Sequence, residues 1–219
     1  MRGRPNDPAL HHLRRPHRGG VRQPLPGALP EAQWRQRLRH RVERQIRAAS
    51  GWACHRGSAG QKISLHYSEA DRVSTLVDFY GFQDRAARTR AQLEADIAAA
   101  ARDITTGYDP RYVLPYVQMH EFEGLLFTNP THFEWAEDGW SEDVKAKLMA
   151  VAQAFPNPED INDSPETAPS KRILSIFPEG TYSKPEHGPL IAEAIGIDAM
   201  RQKCAQFDAW VAHLQAWGN

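Results

Sequence analysis

Two stretches decide the fold of this chain, Val73-Ser-Thr-Leu-Val-Asp-Phe-Tyr-Gly81 and Tyr112-Val-Leu-Pro-Tyr-Val-Gln118. The first is rich in β-branched and aromatic residues and ends at a glycine, so it predicts a buried strand. The second predicts another strand, in which Pro115 indicates an edge position or a bulge. Between them, Thr89 to Arg102 is rich in Ala, Leu, Glu and Gln and predicts a helix. This order of elements is typical of an α/β domain with a mostly parallel sheet and flanking helices.

The C-terminal third of the chain predicts mainly helices. Composition and apolar spacing place them at Ser141–Phe155, Ser170–Ile176, Pro189–Ile195 and Cys204–Trp217. The loop between residues 155 and 169 is rich in Pro, Asn and Asp, which indicates turns.

Composition limits the class of protein. With 219 residues, of which 41% are hydrophobic and 25% charged, the chain can form one domain with a modest core. It has no long apolar run of the kind that spans a membrane and lacks the layout of a signal peptide. Cys54 and Cys204 lie far apart without metal-ligand spacing, as expected in a reducing compartment. We therefore expect a cytoplasmic protein that makes no membrane contact.

The charge is distributed very unevenly. Residues 1–60 contain thirteen Arg, no Lys and three acidic residues, a net charge of +10, and the remainder carries −10. A basic arm of this kind is typical of nucleic-acid binding, because Arg neutralises phosphates. However, natural arms usually contain Lys as well, and six prolines between residues 5 and 30 exclude an early helix or a central strand. The segment is either a disordered basic arm or a stretch that was never selected to fold.

Codon degeneracy favours the second interpretation. Codons for Pro16–Gln23 can be chosen so that the same nucleotides, read one base later, encode His-Thr-Glu-Glu-Ala-Phe-Val, and Arg14-Arg15 can supply Glu-Gly before them. The shifted frame then contains Glu-Gly-x-Thr-Glu where an α/β domain should begin. We therefore assign residues 1–62 to a frameshifted or disordered segment and residues 63–219 to the folded domain, whose first strand is missing.

Three carboxylates form the first candidate site. Asp78 ends the first predicted strand, and Glu121 and Glu123 follow the second. Carboxylates at neighbouring strand ends can share Mg²⁺ or Mn²⁺, since these ions prefer oxygen ligands. His120 adjoins them and is a candidate general base or metal ligand. The alternative is that the acids are surface charges or helix caps and that His120 completes a hydrogen-bond network.

The second candidate site is Ser170-Lys-Arg172 at the start of a predicted helix, where Ser170 could cap. Cations in a first turn oppose the helix dipole unless an anion lies there, so backbone N–H groups with Lys171 and Arg172 could hold a phosphate. The alternative is a salt bridge to Glu159, Asp160 or Asp163. Further candidates for lining the same side are Tyr182, Lys184 and His187.

Several ordered motifs resemble one prokaryotic family, the domain of unknown function 4276. The first two are Leu76-Val-Asp-Phe-Tyr-Gly81 and Pro115-Tyr-Val-Gln-Met-His-Glu-Phe-Glu-Gly-Leu-Leu-Phe127. The others are Pro158-Glu-Asp-Ile-Asn162, Glu166-Thr-Ala-Pro-Ser-Lys-Arg-Ile173, His187-Gly-Pro-Leu190 and Cys204-Ala-Gln-Phe-Asp-Ala-Trp210. The resemblance covers about residues 72–217.

The resemblance implies a Toprim-like fold, because family members typically open with a strand and Glu-Gly-x-Thr-Glu, as Toprim domains do. In Toprim sites a glutamate and later aspartates bind Mg²⁺ for phosphodiester chemistry. Asp78 would take the place of a Toprim aspartate, and Glu121 and Glu123 would complete the acidic site. Tyr80 stands where a second aspartate is common, which weakens the case for two-metal chemistry. Similar proteins often lie beside ATPase genes in phage-defence operons, so an ATPase encoded nearby is an expected partner.

Three functions follow as hypotheses. The first is a Mg²⁺- or Mn²⁺-dependent nuclease or phosphotransfer domain, impaired here by loss of its N-terminus, with Asp78, His120, Glu121 and Glu123 as catalytic residues. In it Ser170, Lys171, Arg172 and His187 would bind the phosphate or substrate. The second is a non-catalytic module that binds nucleic acid or an ATPase through Lys171 and Arg172. The third is a nucleic-acid tail, the Arg-rich arm, on an acidic domain.

Overall fold

A computed structural model describes residues 10–13, 55–162 and 164–217, and shows a mixed α/β fold in which helices predominate. The described residues form five short strands: β1 (Leu10–Leu13), β2 (Arg72–Thr75), β3 (Val77–Asp78), β4 (Val113–Leu114) and β5 (Val117–Gln118). β2 pairs in parallel with β4, and β3 pairs in parallel with β5. The two stretches that predicted strands therefore lie directly side by side, as expected.

Both predicted strands are interrupted, and the two breaks lie opposite each other. The break falls at Leu76 in one and at Pro115-Tyr116 in the other. Pro115 has no N–H to donate, so regular pairing stops there. The Thr75 hydroxyl bridges the gap, because it accepts the N–H of Tyr116 at 2.8 Å and donates to the Tyr116 carbonyl at 3.0 Å. β4 and β5, on either side of Pro115, are both edge strands among the described strands, so the predicted edge position is confirmed.

The helices match most of the predicted segments. Their bounds are α1 (Arg56–Tyr67), α2 (Arg90–Ile104), α3 (Glu142–Ala154), α4 (Pro169–Ile176), α5 (Lys184–Ile195), α6 (Ile197–Lys203) and α7 (Ala205–Ala216). Thr89 and Ser141 cap α2 and α3 by accepting N–H groups of the first turn. The loops also contain 3₁₀ segments, of which Phe122–Thr128 and Pro130–Ala136 are the longest.

Several helices differ from the sequence-based expectations. α1 begins at Arg56 and continues through residue 62, where the boundary of the folded domain was placed. α6 was not predicted. Ser170 does not cap α4: the cap position is Ala168, which has no capping side chain, and Pro169 and Ser170 already lie in the first turn.

β1 lies in the segment for which no strand was expected. It pairs antiparallel with β2, from Leu10 opposite Thr75 to Leu13 opposite Arg72. It is an edge strand, a position that the neighbouring prolines permit. The strand predicted to be missing from the α/β opening would lead into Glu-Gly-x-Thr-Glu, a sequence that does not follow β1. Nearly all of the Arg-rich segment, residues 14–54, lies outside the described residues.

Two groups of buried apolar side chains make up the core. The smaller one lies between α1, α2 and the strands, and includes Ile63, Val73 and Leu93. The larger one is formed mainly by the Phe122–Thr128 segment and the C-terminal helices. Trp210 of α7 joins the helices to the strands, because its ring stacks on Tyr116 at 4.7 Å and its N–H donates to Ser74 Oγ at 2.8 Å.

Candidate functional site

The parallel pairing of β3 with β5 brings Asp78 beside the segment that follows β5. Asp78 lies opposite Gln118, and its Oδ1 accepts the N–H of Phe122 at 2.8 Å. This contact places Asp78 near Glu121 and Glu123. Burial raises the pKa of Asp78 well above its ordinary value, and the charges of Glu123 and Glu121 raise it further. The structure thus brings together the three carboxylates that the sequence singled out.

Glu123 is the most deeply buried of the three, with 1% of its side chain exposed. Its Oε1 lies 3.0 Å from Nζ of Lys184, the first residue of α5. Its Oε2 has no hydrogen-bond partner among the described residues. Burial raises the pKa of Glu123, and the nearby Lys184 ammonium only partly opposes this effect.

We define the acidic cluster as Asp78, Glu121 and Glu123. All three of these carboxylates affect the pKa of Lys184. Burial alone would lower the pKa of the Lys184 ammonium, but the charges of Glu123, Glu121 and Asp78 outweigh burial and raise it. Lys184 is therefore protonated at neutral pH. This role of Lys184 was only weakly indicated by the sequence, because nothing in the spacing of residues 123 and 184 links them.

Glu121 occupies the start of α4, the place predicted for a phosphate. The N–H of Ser170 donates to Glu121 Oε2 at 2.9 Å. Lys171 is exposed. Arg172 Nε donates to the Thr167 carbonyl at 2.8 Å, and its guanidinium lies over the Phe155 ring. An anion does lie at this helix start, as the helix dipole favours, and it is a carboxylate of the chain itself.

His120 is half-buried beside Tyr80 and Asn162. Its backbone has a positive φ of 61°, unusual for a residue with a side chain. Its ring lies 5.4 Å from that of Tyr80, and its Nδ1 lies 3.3 Å from Asn162 Nδ2, which also donates to the Tyr80 hydroxyl. Burial lowers the pKa of His120, so the ring is neutral at pH 7.

Tyr80 and Asn162 were not assigned roles from the sequence. Both lie within the motifs that carry the family resemblance, which was the only available signal. A lone Asn in a Pro-rich loop gives no indication of a partner more than forty residues away.

The remaining predicted residue, His187, packs beside the same region. Its Nδ1 accepts the N–H of Ser183 at 3.0 Å, and its ring lies 5.5 Å from that of Tyr182. The buried hydroxyl of Tyr182 has no hydrogen-bond partner among the described residues. Burial raises the pKa of Tyr182, and the charge of the Glu123 carboxylate raises it further.

The acidic cluster contains the donor type that Mg²⁺ and Mn²⁺ prefer, namely carboxylate oxygens. In the part of the chain that the structure describes, no three His, Cys, Asp or Glu side chains are already arranged to hold a metal ion. One oxygen each of Asp78 and Glu121 accepts a backbone N–H, and one of Glu123 contacts Lys184. The unpartnered Glu123 Oε2 is the observation that best fits an added cation.

Comparison with known proteins gives one match. A family model described as "Domain of unknown function (DUF4276)" matches residues 21–215, most of the chain. The matched range begins about fifty residues before the first of the motifs quoted above. No curated protein and no solved structure matches the chain. Within the described residues, none of the helices is both long and apolar enough to span a bilayer.

Proposed function

The chain belongs to the family described as domain of unknown function 4276, and from this premise we propose that it is a Toprim-like domain that binds a divalent cation and acts on phosphodiester or phosphoryl groups. The acidic cluster is the proposed cation site. A nuclease or phosphotransfer activity is the reaction class that such a site supports.

The observation that carries this proposal is an excess of negative charge in a largely buried place. Burial raises the pKa values of Asp78 and Glu123, the charges of Glu123 and Glu121 raise that of Asp78 further, and the charge of Glu121 raises that of Glu123. The one ammonium that contacts the cluster in the described structure is that of Lys184. Buried carboxylates that lack sufficient positive charge either take up protons or bind a cation.

The surrounding residues are suited to a phosphoryl substrate. When bound, a divalent cation would stabilise negative charge on phosphoryl oxygens and orient a water. Neutral His120 would act as a hydrogen-bond partner or as a general base that accepts a proton from the attacking water. Tyr80 and Asn162 would hold its ring in position through the contacts described above.

Metal binding and cleavage by the chain test the proposal. We expect Mn²⁺ to bind in calorimetry and the protein to cleave DNA or RNA in Mg²⁺ or Mn²⁺, and we expect Glu123→Gln and Glu123→Ala to weaken both. Glu142→Gln is the matched control, because Glu142 is an exposed carboxylate near Lys145 on α3. Absence of any divalent-cation binding by the wild-type chain would refute the proposed site.

The non-catalytic alternative has one observation in its favour. Lys171 is exposed in the first turn of α4, where it is available to an external anion. If the chain binds nucleic acid without any divalent cation, and Lys171→Ala abolishes that binding, the binding module is the better description.

A further inference from the structure

Lys184 contacts a buried carboxylate from a position that its own helix does not favour. It is the first residue of α5, where the positive end of the helix dipole repels a cation. Its side chain is only 28% exposed, so it has also lost much of its hydration. The contact that offsets both costs is the 3.0 Å ion pair with Glu123. The ion pair with Glu123, and not an interaction with its own helix, therefore accounts for the position of the Lys184 side chain.

The ion pair does not satisfy the cluster. Glu123 Oε2 is buried and has no hydrogen-bond partner among the described residues, and the same is true of the Tyr182 hydroxyl. A buried carboxylate oxygen without a hydrogen-bond partner indicates that a further group belongs beside Glu123.

The formal charges of the cluster indicate the charge of the group that belongs there. The three carboxylates carry −3 when ionised, and the Lys184 ammonium carries +1. The remaining −2 equals the charge that one divalent cation neutralises, whereas a second divalent cation would leave an uncompensated +2.

We propose that the Lys184 ammonium supplies one positive charge to the acidic cluster and thereby limits the cluster to binding one divalent cation. This inference rests on the proposed function, because it concerns the same cation site. It assigns Lys184 a positioning role: the ammonium holds Oε1 of Glu123 and leaves Oε2 for the metal ion. It also predicts that Lys184 and the divalent cation repel each other, so that the lysine limits metal affinity.

Titration of the purified full-length chain with Mn²⁺, followed by electron paramagnetic resonance, tests the inference. We expect one bound Mn²⁺ in the wild type. In Lys184→Met, removal of the neighbouring positive charge should tighten Mn²⁺ binding by about tenfold or more. Lys147→Met is the matched control: Lys147 pairs with Asp143 at 2.7 Å but is exposed on α3, so its loss should leave Mn²⁺ affinity unchanged.

Thermal unfolding gives a second readout that does not depend on activity. Lys184→Met leaves Glu123 buried without its ammonium, so the variant should melt below the wild type without metal and regain more stability than the wild type when Mn²⁺ is added. If Lys184→Met does not fold without metal, Lys184→Gln provides the same comparison with a polar replacement.

The outcomes separate the two proposals. Two bound Mn²⁺ in the wild type, or equal affinities in the wild type and Lys184→Met, would overturn the role of Lys184 and leave the cation site intact. Binding by Lys184→Met alone would overturn both proposals, because the wild-type cluster would then hold no divalent cation. Absence of binding in both would overturn both.

Discussion

At the scale of single residues, the site depends on unusual local environments. His120 adopts a positive φ of 61° directly before Glu121, and this turn directs the chain from β5 into the Phe122–Thr128 segment. A side chain in this conformation costs about 1–2 kcal/mol, a cost that the surrounding contacts must offset. Asp78 accepts a hydrogen bond from the N–H of Phe122, and burial disfavours its ionised form, so its pKa is raised.

The backbone of His120 gives the first prediction. His120→Gly should be more stable than His120→Ala by about 1 kcal/mol, because both remove the imidazole and only glycine relieves the positive φ. Chemical denaturation measures the difference. Ala86, which has a φ of 47° in an exposed loop, offers a parallel case, and Ala86→Gly should also be stabilising. Equal stability of the two His120 variants would contradict the strained conformation.

The raised pKa of Asp78 gives the second prediction. Between the ordinary aspartate pKa, about 4, and the raised pKa, the folded protein keeps a proton that the unfolded chain loses. The contribution of Asp78 to stability therefore falls as pH rises through this window. Asp78→Asn removes this penalty and can still accept the N–H of Phe122.

The measurement is the melting temperature without divalent cations as a function of pH. Asp78→Asn should exceed the wild type at pH 7, and the difference should shrink as pH falls toward 4. Asp138→Asn, at an exposed carboxylate, should show no such trend. A difference that grows on acidification would have the wrong sign for a raised pKa.

At the scale of elements, α1 and α2 pack so closely that their contact requires a glycine. A Cβ added at Gly60 would lie 2.7 Å from Ala100 Cβ and 2.9 Å from the backbone nitrogen of Ala101. Two helices can approach this closely only where one of them lacks a side chain. The contact fixes α1 against α2, and α2 in turn supplies Glu94, whose carboxylate accepts the N–H of Val117 at 3.0 Å.

The third prediction concerns this helix contact. Gly60→Ala should destabilise the protein by about 1–3 kcal/mol, because backbone atoms of α2 cannot move aside without separating the helices. Gly57→Ala in the same helix is the matched control: a Cβ there meets nothing within 4 Å, so the substitution should be neutral or slightly stabilising. Urea unfolding of both variants makes the comparison. A neutral Gly60→Ala would mean that α1 does not pack as described.

At the scale of the whole molecule, one small side chain joins the strands to the C-terminal helices. The Ser74 hydroxyl of β2 donates to the Leu114 carbonyl of β4 at 2.7 Å and accepts the indole N–H of Trp210 at 2.8 Å. It is fully buried, so water cannot replace either bond. The last helix of the chain is thereby attached to the sheet formed by β1, β2 and β4.

The fourth prediction concerns this attachment. Ser74→Ala should cost about 1–3 kcal/mol, because it leaves the buried indole N–H and the Leu114 carbonyl short of a partner. Ser175→Ala is the control: Ser175 is exposed, and its hydroxyl donates only to the Arg172 carbonyl of its own helix. Tryptophan fluorescence and circular dichroism should lose signal together in one transition for the wild type. A Ser74→Ala variant as stable as Ser175→Ala would contradict the bridging role.

The N-terminal segment gives the fifth prediction. If residues 1–62 are read out of frame, the gene upstream of codon 72 contains a single-base insertion or deletion whose reversal encodes Glu-Gly-x-Thr-Glu after an apolar strand. Sequencing the gene decides the question, and absence of such a position ends the hypothesis. The family match begins within this segment, at residue 21.

The sequence by itself determined the two paired strand regions, most of the helices and the family. The runs at 73–78 and 112–118 predicted parallel neighbours, Pro115 predicted an edge position or a bulge, and Thr89 and Ser141 lie at the caps of their helices. These signals are local, because propensity, capping and alternation are properties of adjacent residues. α6 gave no such signal, and Ser170 resembled a cap although Ala168 holds that position.

Only the tertiary structure decided which charges meet. The parallel register of β3 and β5 brings Asp78 to the Glu121–Glu123 segment, and the packing of α5 brings Lys184 to Glu123 across sixty residues of chain. Tertiary packing also brings the Glu121 carboxylate to the start of α4, where the sequence predicted a phosphate. Electrostatic energies depend on distance and burial, and neither quantity is encoded in the spacing of residues along the chain.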